Sequence, residues 1–508
     1  MGEMTNGAYL NEHSFETSTS TSVDRSIVQM QYSININTVN MYEFMNHTYS
    51  GDGGYRDGSY LIPFSRESSY TSRKQLAHYK NYLKPILRAM VAPVFSETAP
   101  RKILDGAGNE TNDNLFAAFL KDCDGAGTSL QEYSAQAMNV MRRHGVCFTV
   151  MDNFPSTIQP NTMAEAVKGR IFPYIYLKQA HEVVEHECDQ FGNLREIMFT
   201  DAPVIINGKP EKRYRKWTTS ESLLYGKDPK GQYYVIDRAT HNLGIVPVIM
   251  VFAEPRECKS EILPTPPLYD IAKLNYVIYN QCAEVRDQER AQAFSIFYCQ
   301  GVPPSDLVIS NNTYINLPDS ASISPGYASP DWNIIAGLVA NQEQNRKDLF
   351  TIAEQNGVVG VQSASSGVAM AWDFAAHENI LRQTSSLAMQ LENFIAKMFI
   401  RYTNEAFLYT VEYPMDFAPM GLDNEIARLD KVLRIPNINP LLAAAVQEKL
   451  TRLLLREEDP DTIKRIVDAI DKAASIIETA DTEGSSDSLV TPQSDSNEPS
   501  TEEPVETE

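Results

Sequence analysis

Pro266-Pro-Leu-Tyr-Asp-Ile-Ala-Lys-Leu-Asn275 opens the part of the chain from which the rest takes its meaning. A proline in the first helical turn costs nothing, because the N–H it lacks would have no intrahelical partner there. The prolines therefore announce a helix. Its apolar residues recur at Leu268, Ile271, Leu274, Ile278, Cys282 and Val285, the spacing of one buried face. A strand is expected next over Ala293–Cys299, then a stretch from Gly301 to about Trp332 that is dense in Pro, Ser and Asn. A second helix is expected from Asn333 to Gln355, with Leu338, Val339, Leu349 and Phe350 facing one way. Loop-rich excursions of this length are uncommon inside compact domains and usually have a job.

Downstream, Asn356-Gly-Val-Val-Gly-Val-Gln-Ser-Ala-Ser-Ser-Gly-Val-Ala369 is small, uncharged and punctuated by glycine, the composition of a mobile loop. A very long helical pattern follows from Val368 to about Phe407, carrying Ile380, Leu387, Leu391, Phe394, Ile395, Met398 and Tyr402 on one face. At 1.5 Å per residue it would span roughly 55 Å. Three shorter helices are expected over Asp423–Leu433, Pro440–Leu454 and Asp459–Ile477. The tail from Asp481 to Glu508 has acidic residues and no Lys or Arg, and reads as disordered.

Upstream, Met1 to about Arg66 is polar and rich in Ser, Thr, Asn and Gly, and is expected to be loosely structured. One helix is expected from Ser72 to Val91, bent at Pro85, and two more near Asn112–Leu120 and Ser129–Arg143. Gly145–Met151 is a buried-strand candidate. Strand patterns then run through Ile171–Leu177, His181–Cys188, Leu194–Phe199, Lys212–Trp217, Gln232–Ile236 and Leu243–Phe252; Pro247 marks the last as an edge strand. The fold class is α+β, mainly helical, with an antiparallel strand region set between helices.

The 508 residues include 44 Lys and Arg against 66 Asp and Glu, a formal net charge of −22. A tight nucleic-acid binder draws affinity from a basic face that displaces phosphate counterions, and this balance argues against one. It does not argue against a surface past which DNA slides. Six cysteines without a C-x-x-C pair suggest neither a disulfide framework nor a zinc site, and fit a reducing compartment. The polar start has no apolar run of a cleaved signal, and no stretch is long and apolar enough to promise a membrane span.

The catalytic inventory is thin: there is no phosphate-binding G-x-x-x-x-G-K-[ST] loop and no G-x-S-x-G elbow. Gly106-Ala-Gly108 and Gly125-Ala-Gly127 read as turns. His181-Glu-Val-Val-Glu-His186 has the wrong spacing for one metal ion, since five is odd on a strand and about 140° on a helix. Asp122-Cys-Asp124-Gly125 brings its glycine too early for a calcium loop. Lys212-Arg-Tyr-Arg-Lys216 is the most basic short patch; it reads either as a partner or nucleic-acid contact or, preferably, as the solvated face of a strand. No catalytic residue, metal site or cofactor is implied.

The order helix, loop-rich excursion, helix, glycine-serine loop, very long helix resembles tailed-phage portal proteins. The resemblance spans Ser72 to Ile477. It is carried by the Pro266–Asn275 opening, Gly244-Ile-Val-Pro-Val248, Ser366-Gly-Val-Ala369 and Val411-Glu-Tyr-Pro-Met-Asp-Phe417, taken together and in order. It implies an elongated subunit with wing, stem, clip and crown regions. Residues 1–66 would be a flexible N-terminal segment, 67–265 the wing, 266–292 and 333–355 the two stem helices, and 293–332 the clip between them. Residues 356–369 would be the tunnel loop, 370–422 the long wing helix and return strand, 423–480 the crown and 481–508 the acidic tail. The loop residues facing DNA would be Val358, Val359, Gln362, Ser363, Ser365, Ser366 and Gly367, none of which offers a charge to hold a phosphate. Partner docking in the clip would fall to Asn311, Asn312, Tyr314, Asp319 and Tyr327. The implied partners are other copies in a closed ring of about twelve subunits, duplex DNA in its channel, terminase, capsid or scaffold protein, and head-completion and tail adaptor proteins, with no membrane. The implied place is the portal vertex of the virion, and the host cytoplasm during assembly. Two other readings stay open: another virion structural or connector protein, and an α+β enzyme without a recognisable motif.

Overall fold

The computed structural model describes residues 36–63, 70–111, 114–153, 160, 162–206, 208–227, 232–292, 296–300, 314–317, 326–328, 332–353, 367–417, 422–436, 438–455, 462, 465–470 and 472–473. In chain order the elements are α1 (Ile36–Ser50), α2 (Tyr70–Leu76), α3 (Leu83–Val91), β1 (Arg101–Leu104), α4 (Leu115–Lys121), α5 (Leu130–His144), β2 (Val146–Asp152), α6 (Met163–Lys168) and β3 (Tyr174–Lys178). There follow β4 (Val183–Cys188), β5 (Leu194–Ile206), β6 (Lys209–Thr218), β7 (Glu221–Lys227), β8 (Tyr233–Thr240), β9 (Val248–Phe252), α7 (Tyr269–Gln292), β10 (Ile296–Gln300), β11 (Tyr314–Leu317) and β12 (Gly326–Ala328). Last come α8 (Trp332–Ile352), α9 (Gly367–Thr403), β13 (Leu408–Val411), α10 (Leu422–Leu433) and α11 (Pro440–Leu454). The fold is α+β, in two compact units, Met1–Phe417 and Ala418–Glu508. Among the described residues no helix is long and apolar enough to cross a membrane.

In the first unit, helix and strand are joined most tightly at Gly145. Ser129 caps α5 through a reciprocal pair with Glu132: Ser129 Oγ accepts from Glu132 N at 3.3 Å, and Ser129 N donates to Glu132 Oε2 at 3.0 Å. At the other end Gly145 takes φ +83° and its N–H closes the helix onto Met141 O at 2.7 Å. A Cβ there would lie 3.0 Å from Pro264 Cγ and 3.3 Å from Thr265 O, the segment that leads into α7. Gly145→Ala therefore meets both left-handed strain and a neighbour that cannot retreat. It is expected to lower stability by about 2 kcal/mol, read as a fall in the urea midpoint without loss of secondary structure.

β2 lies between β3 and β9 in a three-stranded antiparallel sheet and is buried from Val146 to Met151. β9 is an edge, as Pro247 suggested. The second sheet is an antiparallel meander, β4-β5-β6-β7-β8. Its strands alternate faces: Ile197, Phe199 and Trp217 pack towards β2, with the Phe148 and Phe199 rings 5.6 Å apart. Met198, Tyr214, Leu223 and Tyr225 form a small cluster on the other face. The main core gathers α3, α4, α5, α7 and α9 with the β1–β13 pair, and Phe116, Phe119 and Phe399 are wholly buried within it.

Several expectations are corrected. Residues 36–63 are not a loose segment: Tyr42, Met45 and Thr48 on α1 are fully buried. The expected helix from Ser72 to Val91 is two, α2 and α3. Its break lies at 77–82, where the backbone bonds to a side chain of α7, and Pro85 instead sits in the first turn of α3, where it needs no N–H partner. β7 was unforeseen, and His181 lies in a 3-10 turn over Ala180–Glu182, ahead of β4. On α8 the buried residues are Ile335, Leu349 and Phe350; Leu338 is only half-buried and Val339 is exposed. The strand after α9 is Leu408–Val411, paired antiparallel with β1. In the second unit α10 and α11 stand where helices were expected, and residues 465–470 continue as helix.

Candidate functional site

α7 and α8 pack on one another, and between them the chain builds a small separate sheet. Side chains bridge the pair: Gln342 Nε2 donates to Cys282 Sγ at 2.6 Å, and Asn345 Nδ2 to Gln281 Oε1 at 3.0 Å. The sheet has order β11-β10-β12, with β10 parallel to β11 and antiparallel to β12. The register sets Phe297 opposite both Tyr314 and Tyr327, so two of the positions expected to dock partners share one rung. The other three, Asn311, Asn312 and Asp319, lie outside the described residues. So do Val358, Val359, Gln362, Ser363, Ser365 and Ser366. Gly367, expected in the same loop, is instead the first residue of α9.

The base of α7 is fastened by residues that periodicity did not single out. Asn275, fully buried, accepts from Tyr79 OH at 3.1 Å and Tyr82 N at 3.0 Å, and donates to Lys80 O at 2.9 Å. Asn280 accepts from Ile62 N at 3.0 Å and donates to Tyr60 O at 3.3 Å. The two amides thus pair with backbone that forms no helix or sheet, meeting the demand that buried N–H and C=O groups find partners. Tyrosines fill the remaining space: Tyr55 stacks on Tyr79 at 4.0 Å and meets Tyr279 edge-on at 5.2 Å. Asn275→Ala strips Tyr82 N and Lys80 O of their partner, while Tyr79 OH keeps Thr48 O at 2.6 Å, and is expected to cost about 2 kcal/mol. Hydrogen exchange should show the loss first at residues 77–82, ahead of α5 or β2.

α9 is anchored by two buried ionic groups. Glu392, fully buried, takes both forks of Arg101 (Nε to Oε2 3.0 Å, Nη2 to Oε1 2.9 Å), the Ser134 hydroxyl at 2.9 Å and the Tyr409 hydroxyl at 2.6 Å. The Tyr413 hydroxyl donates to the same carboxylate. Burial, then the Glu392 charge, pushes both phenols far above their usual range. Burial works against the charge on Arg101, but the bonds and charge of Glu392 outweigh it, and its affinity for the proton rises. Two to three turns back along α9, Arg142 of α5 donates to Thr384 Oγ1 at 2.8 Å, Gln383 Oε1 at 3.1 Å and Ile380 O at 3.1 Å. Its ionisation is pulled down to about 10 by burial. Both groups spend most of their polar atoms inside the protein, which suits fastening.

Elsewhere several ionisable residues are committed within the protein. A cleft of about 690 Å³ is lined by Asp152, Tyr174, Arg215, Trp217, His241 and Arg401. Burial pushes the Asp152 carboxyl up, and it accepts from Tyr174 OH at 3.3 Å. In the basic patch Arg215 pairs with Asp201 at 3.2 Å and Lys216 with Glu196 at 2.7 Å across the strands, so neither is free for a phosphate. Asp122 and Asp124 close their own loop, accepting from Gly125 N, Gly127 N, Ala126 N and Thr128 N. Among the described residues no group of His, Cys, Asp and Glu is arranged to hold a metal ion.

No protein-family model matches the chain, and no curated protein matches it. Among the solved structures that the chain matches are two assemblies. One, described as the virion of a native gene transfer agent (GTA) particle, contains a chain 9% identical, with TM-score 0.39, over 78% of this chain and 96% of that one. The other, described as the neck of an empty GTA particle computed with C6 symmetry, contains one 10% identical, with TM-score 0.41, over 76% and 95%. Overlays this loose carry no shared function.

Proposed function

We propose that this chain is a portal-type subunit: a ring former at one capsid vertex, whose channel admits and releases duplex DNA. The observation that carries the reading is the order of parts from Tyr269 to Thr403. Two packed helices carry a small sheet between their far ends, and the second is followed, across 354–366, by a 37-residue helix locked into the body. A helix pair of this kind holds a docking module away from the body. That module, with Tyr314 and Tyr327, would receive terminase during packaging and head-completion or tail adaptor proteins afterwards. Capsid or scaffold protein would contact the outer body.

Two physical features support self-assembly without adhesion to DNA. The first half of α8, Trp332–Gln342, carries no charged residue, and Ala336, Gly337, Val339 and Ala340 are exposed there. An uncharged exposed helix face is poor solvent surface but good interface. The net charge of −22 repels phosphate, so a duplex passing Val358 to Ser366 would slide past and not bind. Nothing in the reading needs a nucleotide, metal or cofactor on this chain.

Native mass measurement with negative-stain imaging of the purified full chain tests it. The expected result is a closed ring of about twelve copies with a central channel. A chain that stays monomeric at high concentration, alone and with its capsid or scaffold protein, would overturn it and bring the enzyme reading forward.

A further inference from the structure

The β5–β6 hairpin reaches beyond both of its neighbours. On one side pairing with β4 ends at Phe199, and on the other pairing with β7 ends at Arg213. β5 and β6 nevertheless go on pairing with each other to Ile206↔Lys209. Pro203 falls in the register irregularity between Asp201 and Val204, where its missing N–H breaks no ladder bond. From Ala202 to Ile206 every residue is exposed.

The composition of this ribbon is wrong for a free end in water. Val204 is 38% exposed, Ile205 74% and Ile206 43%. Alternation sends Ile205 to one face and its two neighbours to the other, so both faces are apolar. A two-stranded ribbon is marginal by itself in water, and free strands are normally guarded by charge. Here the charge sits at the base instead. Asp201 is paired with Arg215 there, and by sequence Lys209, Lys212 and Arg213 outnumber the remaining acid, Glu211, in a chain whose net charge is −22. Glu211 is already engaged, accepting from Tyr234 OH at 2.7 Å. An apolar tip on a basic base complements the surface of an acidic protein such as this one.

We infer that the β5–β6 ribbon is an arm that docks on a second copy of this chain, its Val204–Ile206 tip in an apolar recess and its basic base against carboxylates. The inference rests on the ring reading and adds to it one contact that repeats around the axis. Such a contact is heterologous, arm to a different surface of the neighbour, as ring closure requires.

The test places a photo-crosslinking residue at Ile205 in the full chain, and separately makes the Val204→Asp, Ile205→Asp, Ile206→Asp triple variant. Irradiated rings should give chain-to-chain products, and the triple variant should need at least tenfold more protein to form rings. Its circular dichroism and melting should match wild type, because these side chains join none of the described apolar clusters of their own body. If wild-type rings form but yield no chain-to-chain product and the variant assembles like wild type, the arm is wrong and the ring reading stands. Crosslinks that go only to co-expressed coat or scaffold protein overturn it equally. If wild type forms no ring at all, the ring reading fails and takes the arm with it.

Discussion

Arg101→Ala is expected to lower the unfolding free energy by about 3–5 kcal/mol. The reason lies in what is left behind. Glu392 is fully buried between α5, α9, β1 and β13, and Arg101 is its only cationic partner among the described residues. Removing the guanidinium strands a carboxylate in a medium that solvates it badly, while Tyr409, Tyr413 and Ser134 still hold its oxygens. It also frees Gln131 Oε1 and Ala99 O, which Arg101 Nη1 serves at 3.0 and 3.1 Å. Urea unfolding of the full chain reads the loss, and a double-mutant cycle separates charge from contact. Adding Glu392→Gln to Arg101→Ala should recover part of the stability, because the stranded charge is gone although the hydrogen bonds are rearranged. A cost below about 1 kcal/mol for Arg101→Ala would mean that the charge of the pair contributes nothing there, and the cycle would then show no coupling.

That ionic group shows where sequence reasoning stops. Arg101, Ser134, Glu392, Tyr409 and Tyr413 lie on four elements, and no local pattern marks any of them as buried. Periodicity did find what depends on local spacing. The α7 face of Ile271, Ile278, Cys282 and Val285 is buried, and so are Leu391, Ile395 and Met398 on α9. α1 was missed for a physical reason: its buried residues are Tyr42, Met45 and Thr48, and two of the three carry polar atoms that low mean hydropathy disguises. Tyr42 and Thr48 can be buried because Pro264 O and Phe44 O accept their hydroxyl protons. The break between α2 and α3 was invisible for the same reason. It is caused by Asn275, which lies almost two hundred residues away in sequence.

Long-range partners also explain why the basic patch is no phosphate site. Lys212–Lys216 looks available in one dimension, but antiparallel pairing sets Arg215 and Lys216 beside carboxylates of β5.

Acid should loosen the seat of α1, and His144 is the group to watch. It is fully buried, donating from Nε2 to Asn46 Oδ1 at 2.9 Å, and its ring lies 5.3 Å from Tyr42 and 6.0 Å from His181. Burial above all, then the neighbouring Arg143 and His181, holds its protonation well below the ordinary histidine range. His181 is lowered as well, by burial, although Glu182 and Glu43 pull the other way. A folded-state pKa depressed below the unfolded one fixes the sign. Above about pH 6.5 both states are neutral and the group contributes nothing. As pH falls below that, the unfolded chain takes a proton which the folded chain refuses, and stability declines by about 1.4 kcal/mol per pH unit. Unfolding free energies measured between pH 7 and 5 should therefore fall more steeply for wild type than for His144→Gln, whose amide can still meet Asn46 and cannot titrate. Over those two units the divergence should approach 2 kcal/mol once the gradual onset near the unfolded pKa is allowed for. Parallel curves would mean that the folded protein protonates His144 freely, and that α1 opens around it without unfolding the rest.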